Sequence, residues 1–199
     1  MPKVVAGYKE EARRTILETA AGVFAQKGFT DATMDDVAKE LGVSKGAVYQ
    51  YFSSKDELFE GLCDAAAKMV EERLRESFSG ADLRKSAERY MDSELDRFQN
   101  RGVLMFEAFA QAPRNASISG LIGNNYVTVL EVMTRFLETL KEKGALRKEM
   151  DSAEVAELLI ALRHGVLATV LMGVSREDAM RVWMNGFEAV LGRYTVIKR

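Results

Sequence analysis

The sequence predicts an all-α protein of about nine helices, and three observations carry that prediction. Only two prolines, Pro2 and Pro113, occur in 199 residues, so almost no position forbids a helical hydrogen bond. Apolar residues recur at spacings of three and four, while strand-type alternation is hard to find. Capping residues and glycines separate the periodic segments into lengths suited to globular helices. A hydrophobic content of 47% is ample for a packed core.

The first helix is expected from about Lys9 to Gln26, with Ile16, Ala20, Val23 and Phe24 along one face and Lys27-Gly28-Phe29 at its exit. Thr33 is a candidate N-cap, followed by Asp35 and Asp36 where negative charge suits exposed amides. Met34, Val37, Ala38 and Leu41 give the next helix one apolar face, and Gly42 supplies the turn that ends it. Ser44 caps a second short helix that begins Lys45-Gly46-Ala47 and carries Tyr49, Gln50 and Tyr51. Two short helices joined by so tight a turn form a helix-turn-helix, the device that lays a short helix in the major groove of duplex DNA. A long helix from Asp56 to about Ser77 follows, with Leu58, Leu62, Ala65 and Met69 on one stripe. The domain boundary is placed along it, before the break at Phe78-Ser79-Gly80: residues 1–55 form the helix-turn-helix domain, 56–77 the connection and 78–199 a second helical domain.

In that second domain, helices are expected at about Leu83 to Asn100, Val103 to Gln111, Ser117 to Lys143, Ser152 to Met172 and Arg176 to Tyr194. Gly102, Pro113, Gly144, Gly173 and Ser175 interrupt the pattern, and Asp151 or Ser152 and Ser175 can cap the last two helices. The final helix carries Met180, Trp183, Met184, Phe187, Val190 and Leu191 as an apolar seam. The one before it carries Leu158, Leu162, Val166 and Val170, with Ala161, Gly165 and Ala168 as small neighbours. These seams face either the protomer's own core or a symmetry mate in a four-helix bundle. The second reading is favoured, because a single helix-turn-helix covers too little DNA for a specific site.

The run Thr33, Ala38, Gly42-Val43-Ser44, Lys45-Gly46, Ala47, Val48, Tyr49, Gln50, Tyr51-Phe52 and Lys55-Asp56-Glu57-Leu58 closely resembles the signature of the tetracycline-repressor (TetR) family. The likeness extends back through Ile16, Ala20, Phe24, Lys27, Gly28 and Phe29 and covers about 60 residues, counted along the sequence. Many members of that family have histidine where Tyr51 stands. The resemblance implies a bacterial or archaeal transcription regulator, dimeric through its last two helices, that binds a small molecule in its C-terminal domain and then releases DNA.

Charge sets conditions on that reading. The formal net charge is −2, from 28 Lys and Arg against 30 Asp and Glu. Residues 1 to 60 hold eight basic residues (Lys3, Lys9, Arg13, Arg14, Lys27, Lys39, Lys45, Lys55) against ten acidic ones. Phosphate contact must therefore rest on placed donors rather than bulk charge. Thr33, Ser44, Tyr51 and Lys55 are the expected phosphate contacts, and Lys45, Gly46, Ala47, Tyr49 and Gln50 are expected nearest the base edges. A helical adaptor that uses the helix-turn-helix shape for protein contacts would not need the exposed donors of Lys45, Tyr49 and Lys55 together.

A ligand cavity is expected in the second domain among Phe98, Phe106, Phe109, Ile118, Ile122, Tyr126, Val129, Met133, Phe136 and Met172, since flexible apolar side chains adapt to irregular ligands. A stripe of such residues equally forms an ordinary core. Asn124, Asn125, Arg163 and His164 are the polar residues embedded there. Arg163 would pair a buried acid or an anionic effector, and Glu94, Glu107 and Glu131 are the mid-helix carboxylates a cation would use. No glycine-rich phosphate loop, G-x-S-x-G elbow or H-E-x-x-H occurs, so no enzyme is expected. One histidine and one cysteine, far apart, make a metal site improbable, and no cofactor is expected. The N-terminus lacks the pattern of a secretory signal and no apolar run approaches a bilayer span, so a cytoplasmic location without membrane contact is expected.

Overall fold

A computed structural model describes the backbone of residues 3–80 and 82–196, and the side chains of 7–80, 82–98 and 104–196. Its elements in order are α1 (Lys3–Asp31), α2 (Met34–Leu41), α3 (Lys45–Tyr49), α4 (Lys55–Ser77), α5 (Leu83–Gln111), a 3-10 turn (Ala112–Arg114), α6 (Ala116–Glu142), α7 (Ser152–Leu171), α8 (Arg176–Leu191) and a second 3-10 turn (Gly192–Tyr194). The single extended pairing among the described residues is an isolated antiparallel bridge between Leu146 and Thr195.

The helix-turn-helix forms where its capping chemistry places it. The Thr33 hydroxyl accepts from the Asp36 amide while the Asp36 carboxylate accepts from the Thr33 amide at 3.0 Å, a reciprocal capping box. Lys27 adds an ammonium 2.6 Å from Asp36, and this contact with those from Thr33 lowers the Asp36 carboxyl to about 2. Gly42 closes α2 at φ 69°, a conformation costly for any residue with a Cβ, and its amide donates to Ala38 and Lys39 carbonyls. Ser44 then accepts from the Ala47 amide to open α3. Gly28, at φ 79°, breaks the helical path of α1, and the Glu107 carboxylate lies where a side chain at this position would begin.

The chain separates into two compact units. The first holds residues up to 65 together with 103–123, and the second holds 66–102 with 124 onward. Helices α4, α5 and α6 each contribute residues to both. In the first unit Ile16, Phe24, Phe29, Val37, Val48, Phe52, Leu58 and Phe59 form the core, with Phe24, Phe29 and Phe59 in edge and tilted ring contacts. Ala108 and Ile118 are buried in the same core, and Leu104, Ala112, Leu121 and Ile122 pack on it. Ser117 also donates to Asp56 at 2.8 Å. The segment 103–123 therefore packs with the helix-turn-helix core, not with the later helices beside which its sequence position placed it.

Three expected boundaries also differ. The segments 83–100 and 103–111 form one continuous helix, with Gly102 inside it. A glycine costs a helix only about 1 kcal/mol against alanine, and buried residues on either side of it, Phe98 and Ala108, hold the path. Met172 is a cap and not the last turn of α7, and α8 gives way to a 3-10 turn at Gly192.

In the second unit, Trp183 donates its indole N–H to the Ala87 carbonyl at 2.9 Å. Tyr90, Trp183 and Phe187 stack through the middle at 6.0 and 5.9 Å, and Phe78 meets Phe136 edge-on at 4.9 Å. Helices α7 and α8 approach closely: a side chain at Gly186 would start 2.6 Å from Leu162. Among the described residues no helix is long and apolar enough to cross a membrane.

Candidate nucleic-acid interface

Helix α3 is anchored by one residue and open elsewhere. Val48 is fully buried, while Lys45, Gly46, Tyr49 and Gln50 are exposed and Ala47 is half-buried. Gln50 is the C-cap of α3 and not a residue of its helical body. Thr33 and Ser44 are exposed at the N-termini of α2 and α3, where their hydroxyls hold the first-turn amides in place. The surface so formed offers a hydroxyl, a phenol, an amide and an ammonium around a glycine whose backbone is accessible, which is a donor set suited to phosphates and base edges.

The ammonium of Lys45 lies 2.9 Å from the Asp35 carboxylate and 5.8 Å from the Tyr49 ring. Hydrogen bonding to Asp35, then its charge, raises the Lys45 pKa, so the side chain is a firm cation. Sequence reasoning placed Asp35 only as a first-turn acid on α2. Its position one short turn away from α3 was the available signal for this pairing.

One of the expected phosphate contacts is committed internally. Lys55 donates to the carbonyls of Phe29, Thr30 and Ala32 at 2.6, 3.0 and 3.0 Å and lies 4.6 Å over the Phe29 ring. An ammonium has three protons, and three carbonyls take them. The residue caps the exit of α1, so its ammonium is spent on the fold and not held out to a phosphate. Tyr51 is half-buried against the helix-turn-helix core, and its backbone carbonyl accepts from Arg13 at 2.6 Å. Arg13 lies 4.2 Å over the Phe52 ring. These cations brace the domain, a role the charge pattern alone does not distinguish from phosphate contact.

Of the residues expected to line a ligand cavity, only Met133 and Phe136 are brought together at one. Phe98 and Met133 are buried in the second unit, whereas Phe106, Phe109 and Ile122 belong to the first and Ile118 is fully buried in the helix-turn-helix core. Val129 is half-buried, and Tyr126 and Met172 are exposed, the latter at 79%. The second unit holds an apolar cavity of about 10 Å³ bordered by Met133 and Phe136 and by Leu74, Phe78, Tyr90 and Trp183, among others. That is room for about one water molecule. Helical periodicity reports a buried face and not which neighbour covers it, so the expected set mixed two cores with two surface residues.

The expected dimer seam divides in the same way. Val166, Trp183, Phe187 and Leu191 are buried in the protomer's own core, which removes them from an interface. Leu158 is exposed, and Leu162, Val170, Met180, Met184 and Val190 are half-buried. The open faces that remain are Leu158, Ala161 and Gly165 on α7 and Val182, Asn185 and Ala189 on α8, continued by exposed Leu171, Met172 and Val174.

The other reactive side chains are quiet. Burial lifts the Cys63 thiol to about 11, with Asp64 and Glu60 adding to it, so the thiolate is scarce near neutral pH. Burial, then the charge of Arg163, lowers His164 to about 4, so it is neutral. No group of three metal-ligating side chains occurs among the described residues.

An exposed recognition helix on a buried Val48 anchor, opened by Ser44 and set against a capped α2, defines a helix-turn-helix DNA-binding protein. Residues 16–62 match the family model for bacterial regulatory proteins of the tetR family. The transcriptional regulator UidR of Escherichia coli K12 is 26% identical over 186 residues, covering 92% of each chain. A TetR-family regulator from Rhodococcus sp. has the same fold at a TM-score of 0.80 and 21% identity, covering 92% of this chain and 99% of that one. A transcriptional regulator from Saccharomonospora viridis, solved in complex with choline, is 27% identical at a TM-score of 0.66, covering 90% and 96%. The chain is thus a DNA-binding transcriptional regulator, similar along its length to members of the TetR family.

Proposed function

We propose that this regulator is a homodimeric repressor that binds a palindromic operator and is released by a small, largely apolar effector. The observation that carries the DNA-binding part is the exposed donor surface of α3, with Lys45, Gly46, Tyr49 and Gln50 open around the buried Val48. Lys45, Gly46, Ala47, Tyr49 and Gln50 read base edges, and Thr33 and Ser44 contact phosphates. The open faces of α7 and α8 form the dimer, holding two recognition helices about 34–36 Å apart to match successive major grooves. Small residues at Ala161, Gly165 and Ala189 allow close helix approach there. The regulator acts in the cytoplasm, where its operator is.

The closed core of the second unit bears on release. A cavity of about 10 Å³ admits no effector without repacking, so any molecule that enters necessarily binds one packing better than another. Differential affinity of this kind is what shifts a two-state equilibrium. The change passes along α4, α5 and α6, whose residues belong to both units. A constitutive regulator, which never opens that core, is the competing reading.

Alanine at both Lys45 and Tyr49 is expected to weaken operator binding by more than tenfold, measured by fluorescence anisotropy, while light scattering still reports a dimer. Unchanged affinity in that variant would sink the repressor reading. Failure to find a dimer in the parent protein would remove the α7–α8 interface.

A further inference from the structure

Taking the protein to be effector-responsive, we propose that its effector is an anion, a carboxylate-bearing apolar molecule whose head group is held by Arg73 and Arg163 beside Tyr90. The second unit is apolar around its cavity but carries three ionised side chains in its interior. Arg73 on α4 pairs with Glu94 on α5 at 2.8 Å, and Arg163 on α7 pairs with the other oxygen of the same carboxylate. Glu94 is 3% exposed and Arg73 is 9% exposed. Two guanidiniums thus share one carboxylate, and among the described residues neither has a second acid within ion-pair distance.

A buried cation without its own counter-ion is costly, and a packed apolar residue serves stability at least as well. The excess charge therefore calls for an occupant. Burial, the largest influence on Arg73, works against its charge despite the opposing pull of Glu94. Arg73 also keeps its Nε without a hydrogen-bond partner in the protein, while the hydroxyl of Tyr90, a residue 1% exposed, accepts from Arg163 and keeps its own proton to donate. These donors are of the kind a carboxylate takes up, and a guanidinium binds it in a two-pronged geometry. Tyr90 also borders the apolar cavity, together with Trp183 at 6.0 Å. A head group at the arginines would thus put its apolar body against Trp183 and the cavity wall, forcing the repacking that release requires. A cationic effector would have to take Glu94 from both arginines and leave two buried positive charges facing a third.

Trp183 is the only tryptophan, so its emission reports entry directly. The probes are decanoate, 4-phenylbutyrate and cyclohexanebutyrate, each with its primary amide and its amine, titrated against the full-length protein and against its complex with operator DNA. The carboxylates are expected to shift Trp183 emission at least tenfold more tightly than the matched amides and to lower operator affinity. Arg73→Met is expected to lose that preference while keeping its unfolding midpoint in urea, because it leaves Glu94 and Arg163 as a neutral pair. Glu94→Gln, which strands both arginines, is expected to unfold earlier.

Amides or amines that bind as tightly as the acids and release DNA would overturn the anion assignment and leave effector control standing. Arg73→Met destabilised as far as Glu94→Gln would show that both arginines serve the fold, which also overturns it. If no probe of any charge moves Trp183 emission or operator affinity, the assignment fails together with the effector reading, and constitutive binding is favoured.

Discussion

The two compact units of this protein solve opposite problems with charge. In the first, cations meet backbone carbonyls and ring faces: Lys55 on the exit of α1, Arg13 on the Tyr51 carbonyl and the Phe52 ring. Each is a local seal at the rim of an apolar core. In the second, charge is taken inside, where Arg73, Glu94 and Arg163 meet across α4, α5 and α7. A rim cation makes a domain rigid at little desolvation cost, whereas an interior triad with an odd charge holds its unit in a packing that a ligand can alter. The difference teaches that the first unit spends its charges on sealing its rim, while the second carries in its interior the charge on which the proposed effector response rests.

The largest expected effect is on the interior charge. Glu94→Gln leaves two buried guanidiniums without a counter-ion, and about 3–5 kcal/mol of stability should be lost, measured by urea unfolding. A loss under about 1 kcal/mol would mean that water reaches the arginines, and the contrast between the units would dissolve.

Lys55→Met comes next. It strands three carbonyls at the α1 exit, and about 1–3 kcal/mol should be lost. Its operator affinity falls only through the fold, so the slope of log affinity against log salt should stay at the parent value. Lys45→Met should instead leave stability unchanged and reduce that slope by up to about 0.9, the worth of one cation brought onto the DNA. A reduced slope in Lys55→Met would return the residue to the interface and break the rim reading.

What was legible follows the same division. Thr33, Asp36, Gly42 and Ser44 act within four residues of themselves, so the sequence carried α2, the turn and α3 nearly to the residue. Lys55 acts over 23 to 26 residues and Arg13 over 38, and nothing in the spacing of charges announces such partners. The placement of Ile118 in the helix-turn-helix core and of Trp183 in the protomer core fails for the same reason. Periodicity names the buried face of a helix, and only the folded chain names its neighbour.

Thr33→Ala tests the local side of the comparison at a smaller scale. Losing the N-cap should cost about 1 kcal/mol, and it should also change the acid limb of unfolding. The Asp36 carboxyl is lowered to about 2, with Lys27 the first cause and Thr33 the next. Its stabilising contribution is thus complete above the unfolded value of about 3.9 and is lost as pH falls through about 2. Thr33→Ala should raise the pH at which that loss occurs, and Lys27→Met should raise it further, both read by circular dichroism between about pH 5 and 1.5. An unchanged acid limb in both variants would mean that the capping box does not hold Asp36 in solution.

The smallest effect is expected at Asp35, where the acidic balance of the first unit meets its binding surface. Its carboxylate holds the Lys45 ammonium at 2.9 Å on an exposed face, so DNA approaching α3 must compete with an internal acid for that cation. Asp35→Asn frees Lys45 for any phosphate. Affinity for random duplex should then rise, by about two- to fivefold at low salt, since an exposed pair is weak, while operator affinity rises less. Discrimination between the two sequences should fall. If random-sequence affinity is unchanged, the pair does not form in solution and Lys45 is already free. If operator affinity rises by the same factor, Asp35 only subtracts charge. The expected inequality would instead make this acid a restraint on nonspecific binding, which a net negative regulator achieves by pairing the one lysine of its recognition helix and not by lacking it.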